Sequence, residues 1–272
     1  SARRSSRVDL EQRPILVFWE STRACMLACR HCRAEAMPHP VAGELTHAES
    51  VAFIGTLAEF GRPAPILVIT GGDALMRPDL LELVDAAKAT GVPVALAPSV
   101  TPLLTDERLV ELRARGVKVA SLSLDGASAG THEGLRQVAG HFAETLAALR
   151  RLRSHGLVVQ VNTVVTAENV EELPAIAKIV HDSGAAIWEV FFLVQVGRGT
   201  AMVELSSAEN EDVCHFLYDA SRHGFIVRTV EGPFFRRVVA WREEGRQVEA
   251  GPLYGRLAAG RLRQGASGAL RR

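Results

Sequence analysis

The chain has 272 residues, and its 31 acidic side chains balance its 31 lysines and arginines, so the formal charge is zero. An apolar fraction of 47% with 23% charged residues excludes an intrinsically disordered chain and is typical of a globular protein with a sizeable core. The neutral balance argues against a dedicated nucleic-acid-binding protein, because such proteins need a basic surface. The length fits one large domain, or one domain with an appendage.

Short apolar segments rich in β-branched residues alternate along the chain with segments of helical periodicity. The predicted strands are residues 15–19, 66–69, 92–97, 119–124, 157–165 and 187–194, and the predicted helices are residues 48–60, 79–90, 106–115, 142–155 and 171–183. Strands and helices thus alternate at a spacing of roughly 25–35 residues, which predicts an α/β fold with a parallel sheet. A doubly wound sheet and a barrel, open or closed, both fit this pattern.

The alternating pattern weakens after Gly224. Residues 225–230 are a candidate for one more strand and residues 234–244 for a further helix, and from Gly251 onward we expect a loosely ordered tail rich in Gly, Ala and Arg. No apolar run reaches the roughly 18–20 residues of a membrane-spanning helix, and the run at 15–19 is too short for a signal peptide. We therefore expect a cytoplasmic protein that does not bind a membrane.

The cysteines divide into three and one. Cys25, Cys29 and Cys32 lie in one short segment directly after the first predicted strand, whereas Cys214 stands alone in a helical pattern and is expected to be a small core residue. A tight, odd cluster in a long chain predicts metal or redox chemistry in a reducing compartment rather than a disulfide framework. Ligands bind at the carboxyl ends of the strands in parallel βα folds, so three thiolates there can share one centre.

Two kinds of centre suit the three thiolates. Zinc needs a fourth ligand, which His31 or His39 could supply, although joint ligation of one zinc ion by His31 and the adjacent Cys32 is awkward. An iron–sulfur cluster fits the segment better, with three irons held by the protein and the fourth open to another ligand.

The spacing Cys-x₃-Cys-x₂-Cys, directly after the Trp-Glu-Ser-Thr run that begins at Trp19, resembles the radical S-adenosylmethionine (radical SAM) superfamily. The wider stretch, to about residue 235, resembles the branch whose members often carry a SPASM extension, including peptide-modifying and haem-biosynthesis enzymes. The resemblance implies an α/β fold of the partial, open (β/α)₆ TIM-type barrel kind. It also implies that the three cysteines hold a 4Fe–4S cluster, whose fourth iron binds the methionine part of S-adenosylmethionine, and that His31 packs by the adenine.

The resemblance implies further cofactor contacts at the ends of later strands. Gly71, Gly72 and Asp73 match a Gly-Gly-Glu motif that grips the amino group of the cofactor, because glycines let the backbone approach and a carboxylate pairs with an ammonium. His132 and Arg136 match a His-x-x-x-Arg segment whose arginine pairs with the cofactor carboxylate. The other predicted cofactor contacts are Ser99, Ser123, Asp125, Asn162 and Gln195.

By resemblance, the protein is an enzyme that cleaves S-adenosylmethionine reductively to a 5′-deoxyadenosyl radical, which abstracts hydrogen from an unidentified peptide or tetrapyrrole. A reduced flavodoxin or ferredoxin would supply the electron. One alternative is an iron–sulfur electron-transfer or redox-sensing protein that does not cleave S-adenosylmethionine. The other is a zinc-binding structural module.

We assign residues 11–235 to the core domain and residues 236–272 to a C-terminal helix and tail. The second cysteine-rich segment typical of the SPASM branch is missing from this sequence, because no cysteine follows Cys214. We therefore expect either a compact member of the branch or a chain truncated before a SPASM-type extension.

Overall fold

Seven parallel strands in the described part of the chain form one sheet, in which each strand pairs with the next one along the chain. The computed structural model describes residues 10–246 and 251–260. The strands are β1 (Leu16–Glu20), β2 (Ile66–Thr70), β3 (Val94–Leu96), β4 (Val119–Ser123), β5 (Val158–Val165), β6 (Ile187–Phe192) and β7 (Ile226–Val230). Within the described residues β1 and β7 are the two edges, so the sheet is an open half-barrel. The expected parallel α/β fold and partial open barrel are confirmed, with the segment at 225–230 as a seventh strand.

Helices connect the successive strands, and two more follow the last strand. They are α1 (His47–Ala58), α2 (Leu80–Thr90), α3 (Asp106–Ala114), α4 (Ala129–Arg136), α5 (His141–Ser154), α6 (Leu173–Asp182), α7 (Ser207–Ala220), α8 (Phe235–Glu243) and α9 (Pro252–Ala259). Among the described helices, none combines the length and the apolar character that crossing a membrane would require.

The alternation of side chains along each strand positions the core and the inner face of the sheet. Along β5, Val159, Val161 and Val165 are buried in the main hydrophobic cluster, which lies between the strands and the helices. The alternate residues Asn162 and Val164 are half-buried and line a cavity inside the half-barrel. Because side chains alternate across a strand, one strand supplies both the core and the wall of the cavity.

The structure differs from the sequence-based expectation at α4. This helix begins after Ser128, whose hydroxyl accepts a hydrogen bond from the backbone of Thr131, and it contains Gly130 and Gly134. Two glycines lower the helix propensity of a segment of eight residues, which is why no helical pattern stands out there. The helix matters for the site because it ends at Arg136.

The expectation of a loosely ordered tail from Gly251 is wrong for residues 251–260. Leu253 and Leu257 of α9 are buried, and the Asp212 carboxylate on α7 accepts hydrogen bonds from the backbone of Gly251 (2.7 Å) and Tyr254 (3.1 Å). A carboxylate from another helix therefore satisfies amides at the start of α9, where a helix has no partners of its own. The rest of the predicted tail, residues 261–272, lies outside the described residues.

Candidate active site

A cavity of about 290 Å³ opens at the carboxyl ends of the strands, and most of the predicted site residues line it. These are Cys25, Cys29, Cys32, His31, Gly71, Gly72, Ser99, Ser123, Asp125, Arg136 and Asn162. They come from the loop after β1, from the ends of β2, β3, β4 and β5, and, for Arg136, from the end of α4. The structure thus brings together residues that are more than 130 positions apart in the sequence.

The segment of residues 21–37, called here the cysteine loop, is held in a fixed shape by its own backbone and by one carboxylate. The backbone amide of Cys25 donates to the Met37 carbonyl at 2.7 Å, and the amide of Met37 donates to the Arg23 carbonyl at 2.8 Å. Glu44 accepts from the Thr22 hydroxyl at 3.0 Å and from the Arg23 amide at 2.8 Å. These bonds close the loop into a compact turn that carries the three cysteines.

Gly71 and Gly72 let the loop after β2 lie directly against the cysteine loop. The amide of Gly72 donates to the Thr22 carbonyl at 2.7 Å, and the next amide, that of Asp73, donates to the Ala24 carbonyl at 2.7 Å. A Cβ atom on Gly72 would lie 2.7 Å from the Arg23 carbonyl oxygen and closer still to that of Ala24. The glycine pair therefore packs backbone on backbone beside the first cysteine.

Arg198, which was not among the predicted site residues, binds the opposite side of the cysteine loop. Its Nε donates to the Cys29 carbonyl and its Nη1 to the Ala36 carbonyl, both at 2.9 Å, and its backbone amide donates to the Cys32 carbonyl at 3.1 Å. The preceding Gly197 has φ +55°, and a Cβ there would lie 2.7 Å from the Cys32 carbonyl oxygen. The Gly-Arg-Gly run after β6 is the sequence signal for this contact.

Cys25 and Cys29 are buried, whereas Cys32 is partly exposed. Burial raises the pKa of the Cys25 thiol, so this group needs a metal or another positive charge to ionise near neutral pH. Cys214 does not line the cavity: it is fully buried in α7, and burial raises the pKa of its thiol to about 12. These positions match the predicted division into three ligand candidates and one core cysteine.

The donor set fits an iron–sulfur cluster better than a single zinc ion. Within residues 10–246 and 251–260, no three His, Cys, Asp or Glu side chains lie close enough to bind one metal ion together. His39, which the sequence offered as a zinc ligand, is exposed and outside the cavity lining. Thiolates that each bind a different iron of a cluster do not have to converge on one point.

Unpartnered nitrogens around the cysteine loop support the same fit. His31 Nδ1, Arg136 Nε and Arg198 Nη2 are buried without a hydrogen-bond partner, and all three residues line the cavity. A buried polar group left without a partner costs about 1–3 kcal/mol. An anionic group beside the cysteines would satisfy the two guanidinium donors. A thiolate-bound iron–sulfur cluster or a carboxylate would supply this negative charge.

Asp125 lies at the end of β4 in a buried group of charges. Its Oδ2 is 2.5 Å from Arg136 Nη2 and 3.6 Å from His31 Nε2. Burial would raise the pKa of the Asp125 carboxyl, but the neighbouring Arg136 and His31 outweigh it, and the pKa is lowered. Burial lowers the pKa of His31 to about 4, so this ring is neutral at pH 7. Asp125 and Arg136 therefore form an ion pair inside the cavity wall.

Asp73 and Gln195 do not line the cavity, contrary to expectation. The Asp73 carboxylate is fully buried and accepts from the amides of Leu75 and Ser99 and from the Thr101 hydroxyl, at 3.0–3.2 Å. The Asp73 side chain is thus engaged by its own loop and by the loop after β3. Gln195 is exposed, and its amide donates to the Met202 carbonyl at 2.7 Å.

Ser99 and Asn162 lie on the cavity wall, and each side chain makes a hydrogen bond within the protein. The Ser99 hydroxyl donates to the Gly72 carbonyl at 3.3 Å and lies 3.7 Å from Cys25 Sγ. The Asn162 side-chain oxygen accepts from Gln160 at 2.8 Å, and Ser123 lies beside it on β4. The free side of Asn162 is the amide NH₂ group, a donor for a ligand.

A chain of two buried histidines, His132 and His141, links Asp125 to the loop after β3, and His141 also lines the cavity. No local pattern in the sequence predicts this chain. The Asp125 amide donates to His132 Nδ1 at 3.1 Å, so His132 carries its hydrogen on Nε2, which donates to His141 Nδ1 at 2.9 Å. His141 Nε2 in turn donates to the Val100 carbonyl at 3.1 Å. The tautomers are assigned from this network. Burial lowers the pKa of His132 to about 3 and also lowers that of His141, so both rings are neutral at pH 7.

Comparison with known proteins identifies the family. Residues 19–180 match the model of the radical SAM superfamily. A protein named AdoMet-dependent heme synthase from Oleidesulfovibrio alaskensis is 38% identical over 238 residues, which are 86% of this chain and 61% of the relative. A protein of the same name from Methanosarcina barkeri is 36% identical over 243 residues, which are 89% of this chain and 69% of the relative. This chain therefore spans about two thirds of the length of these relatives.

A solved structure shows the same fold. The crystal structure of Streptococcus suis SuiB bound to S-adenosylmethionine aligns with a TM-score of 0.67 at 13% identity, covering 80% of this chain and 51% of that one. Identity this low carries the fold alone. The superfamily uses a 4Fe–4S cluster and S-adenosylmethionine, and the half-barrel and the three clustered cysteines agree with that. With more than half of its residues inside the family model, the chain belongs to the radical SAM superfamily.

Proposed function

We propose that this chain is a radical SAM enzyme whose Cys25, Cys29 and Cys32 hold a 4Fe–4S cluster. The observation that carries the proposal is the cavity at the carboxyl ends of the strands, where the three cysteines and two unpartnered buried guanidinium nitrogens face one space. The chemistry that such a cluster supplies when bound is one-electron reduction of S-adenosylmethionine, which yields methionine and a 5′-deoxyadenosyl radical.

The protein's own residues have three tasks in this proposal. Gly71 and Gly72 keep the loop after β2 packed against the cysteine loop, and Ser99 and Asn162 offer a hydroxyl and an amide to the polar groups of a ligand in the cavity. His31, neutral and largely buried, offers a flat ring to the adenine. Apolar side chains from the loop after β6, such as Leu193, line the cavity and exclude water from the reacting atoms.

The relatives support a tetrapyrrole as the substrate class, because both are named heme synthases and match most of this chain. A reduced flavodoxin or ferredoxin is the proposed electron donor. If the chain recognises a tetrapyrrole, we expect it to bind heme saturably, as measured by the change in the heme absorbance band. If heme does not bind and a peptide substrate is modified instead, the substrate class is a peptide.

The catalytic part is tested with anaerobically reconstituted protein. We expect about four irons per chain and, with S-adenosylmethionine and dithionite, release of 5′-deoxyadenosine. Cys29→Ala should abolish both, whereas the matched variant Cys214→Ala should keep both, because Cys214 lies in the α7 core. If protein with its full iron content releases no 5′-deoxyadenosine, the proposed enzymatic activity is refuted, and an electron-transfer or redox-sensing protein is favoured.

A further inference from the structure

Arg136 lies between a carboxylate and one of the clustered cysteines. Its Nη2 is 2.5 Å from Asp125 Oδ2, and its Nη1 donates to Cys29 Sγ at 3.5 Å, across 107 positions of sequence. Asp125 is fully buried, and Arg136 and Cys29 are each less than a tenth exposed. Both terminal nitrogens of the guanidinium are therefore engaged by groups of this chain.

Independent contacts hold both ends of this N–H···S contact. The backbone amide of Arg30 donates to the Leu135 carbonyl at 2.9 Å, which joins the residue after Cys29 to the residue before Arg136. Arg198 Nε holds the Cys29 carbonyl from the other side at 2.9 Å. Turning Arg136 Nη1 away from Cys29 would also move Nη2 away from the buried Asp125 carboxylate, which is strongly unfavourable.

The charges in this group are fixed. Arginine side chains stay protonated in proteins, so the guanidinium of Arg136 carries a positive charge between Asp125 and Cys29. The lowered pKa of Asp125 keeps the carboxylate ionised. One positive charge is thus shared between a carboxylate and the sulfur of Cys29.

We propose that Arg136 raises the reduction potential of the cluster by donating its Nη1–H to the Cys29 thiolate, and that Asp125 positions the guanidinium and moderates its charge. The inference rests on the proposed function. Reduction adds one negative charge to the site, so a cationic donor on a ligand sulfur favours the reduced state and a nearby carboxylate opposes it. Arg136 Nη1 thereby acts on the cluster, while Arg136 Nε, which has no hydrogen-bond partner among the described residues, remains as a donor for an anionic group in the cavity.

The test is a potentiometric titration of the reconstituted protein without S-adenosylmethionine, with dithionite as the electron donor and the electron paramagnetic resonance signal of the reduced cluster as the readout. In Arg136→Gln we expect the ratio of reduced to oxidised cluster at a fixed potential to fall at least tenfold, which is a shift of 59 mV or more to negative values for one electron. Asp125→Asn should shift the potential in the opposite direction.

Arg30→Gln is the matched control, because it removes an arginine next to Cys29 that is solvent-exposed and bound to Glu168 instead of a sulfur. In Arg30→Gln the ratio of reduced to oxidised cluster at the same fixed potential should stay within about threefold of that in the unmodified protein, because solvent screens an exposed charge. An unchanged potential in Arg136→Gln with full iron content overturns the inference, and a loss of S-adenosylmethionine affinity in the same variant would assign Arg136 to the cofactor carboxylate.

The remaining outcomes are also decisive. If neither Arg136→Gln nor Asp125→Asn binds about four irons while Arg30→Gln does, the ion pair serves cluster assembly and the inference is wrong. If the potential shifts as expected but 5′-deoxyadenosine is never released, the inference stands and the enzymatic proposal fails. If the unmodified chain takes up no cluster, both fail together.

Discussion

A single methyl group added at Gly72 should displace the cysteine loop. The Cβ of alanine would lie 2.7 Å from the Arg23 carbonyl oxygen and closer to that of Ala24, and both oxygens belong to backbone that cannot rotate away. Ordinary carbon–oxygen contacts are about 3.3–3.6 Å, so the two backbone segments must separate by roughly 0.6–0.9 Å or more. The hydrogen bonds from the amides of Gly72 and Asp73 to the cysteine loop lengthen in the same movement.

The size of the effect follows from this displacement. Overpacking in a close-packed region costs about 1–3 kcal/mol, which corresponds to a Tm lower by roughly 2–12 °C for a domain of this size. A reacting group misplaced by about 1 Å loses on the order of 10²-fold in rate. We therefore expect Gly72→Ala to fold, to be modestly destabilised, and to release 5′-deoxyadenosine about 10²-fold more slowly per bound cluster.

The assay compares iron content, Tm and the rate of 5′-deoxyadenosine release in the two variants Gly72→Ala and Gly55→Ala. Gly55 is the control because it lies inside α1 with nothing within 4 Å of an added Cβ. Alanine there should stabilise the helix by about 0.5–1 kcal/mol without changing the rate. Wild-type rate and iron content in Gly72→Ala would refute the idea that the glycine pair sets the position of the cysteine loop.

Three further predictions concern stability and the fourth cysteine. The pKa of His132 is lowered to about 3 and that of His141 is also lowered, so below about pH 6.5 the unfolded chain takes up protons that the folded chain excludes. The free energy of unfolding should therefore be highest above that pH and should fall by up to about 1.4 kcal/mol per pH unit for each ring as the pH is lowered. Urea unfolding at pH 7.5 and 5.5 measures this difference. Equal stability at the two pH values would contradict the assignment of buried neutral rings. Asp212→Ala should lower the free energy of unfolding by about 1–2 kcal/mol and speed hydrogen exchange of the α9 amides, because it removes both acceptors at the start of that helix. Unaltered exchange of these amides would contradict the capping role of Asp212. Cys214→Ala should lower the Tm slightly while iron content stays the same, and a loss of iron would make Cys214 a ligand.

Several features of the fold and site are local in the sequence and could be predicted from it. The alternation of short β-branched runs with helical segments predicts a parallel α/β sheet, because the period of apolar residues is set by the geometry of each element alone. The spacing of Cys25, Cys29 and Cys32 and the position of the glycine pair are likewise readable without knowing what packs on them. The short helix α4, which carries Arg136, lacked such a pattern because of its two glycines.

The orientation of polar side chains was not predictable in the same way. Asp73 was expected to face a ligand, yet its carboxylate is engaged by backbone amides of its own loop and the next one. Arg136 was expected to bind a cofactor carboxylate, yet its terminal nitrogens contact Asp125 and Cys29. Each outcome depends on which donors and acceptors the folded chain brings within 3–4 Å, and these come from loops that are 26 and 107 residues away.

The sequence by itself determined the class of fold, the alternation of strands with helices, and the segment that carries three thiolates, since all of these depend on residue types at short spacing. Only the tertiary structure decided that the sheet of residues 10–246 is open and has seven strands, that α9 is capped by Asp212, and that a buried Asp125–Arg136 pair lies against Cys29. The physical reason is that burial and charge pairing are properties of contacts between distant segments. A periodic pattern shows which face of an element is buried, but not which charged group from another element it will meet there.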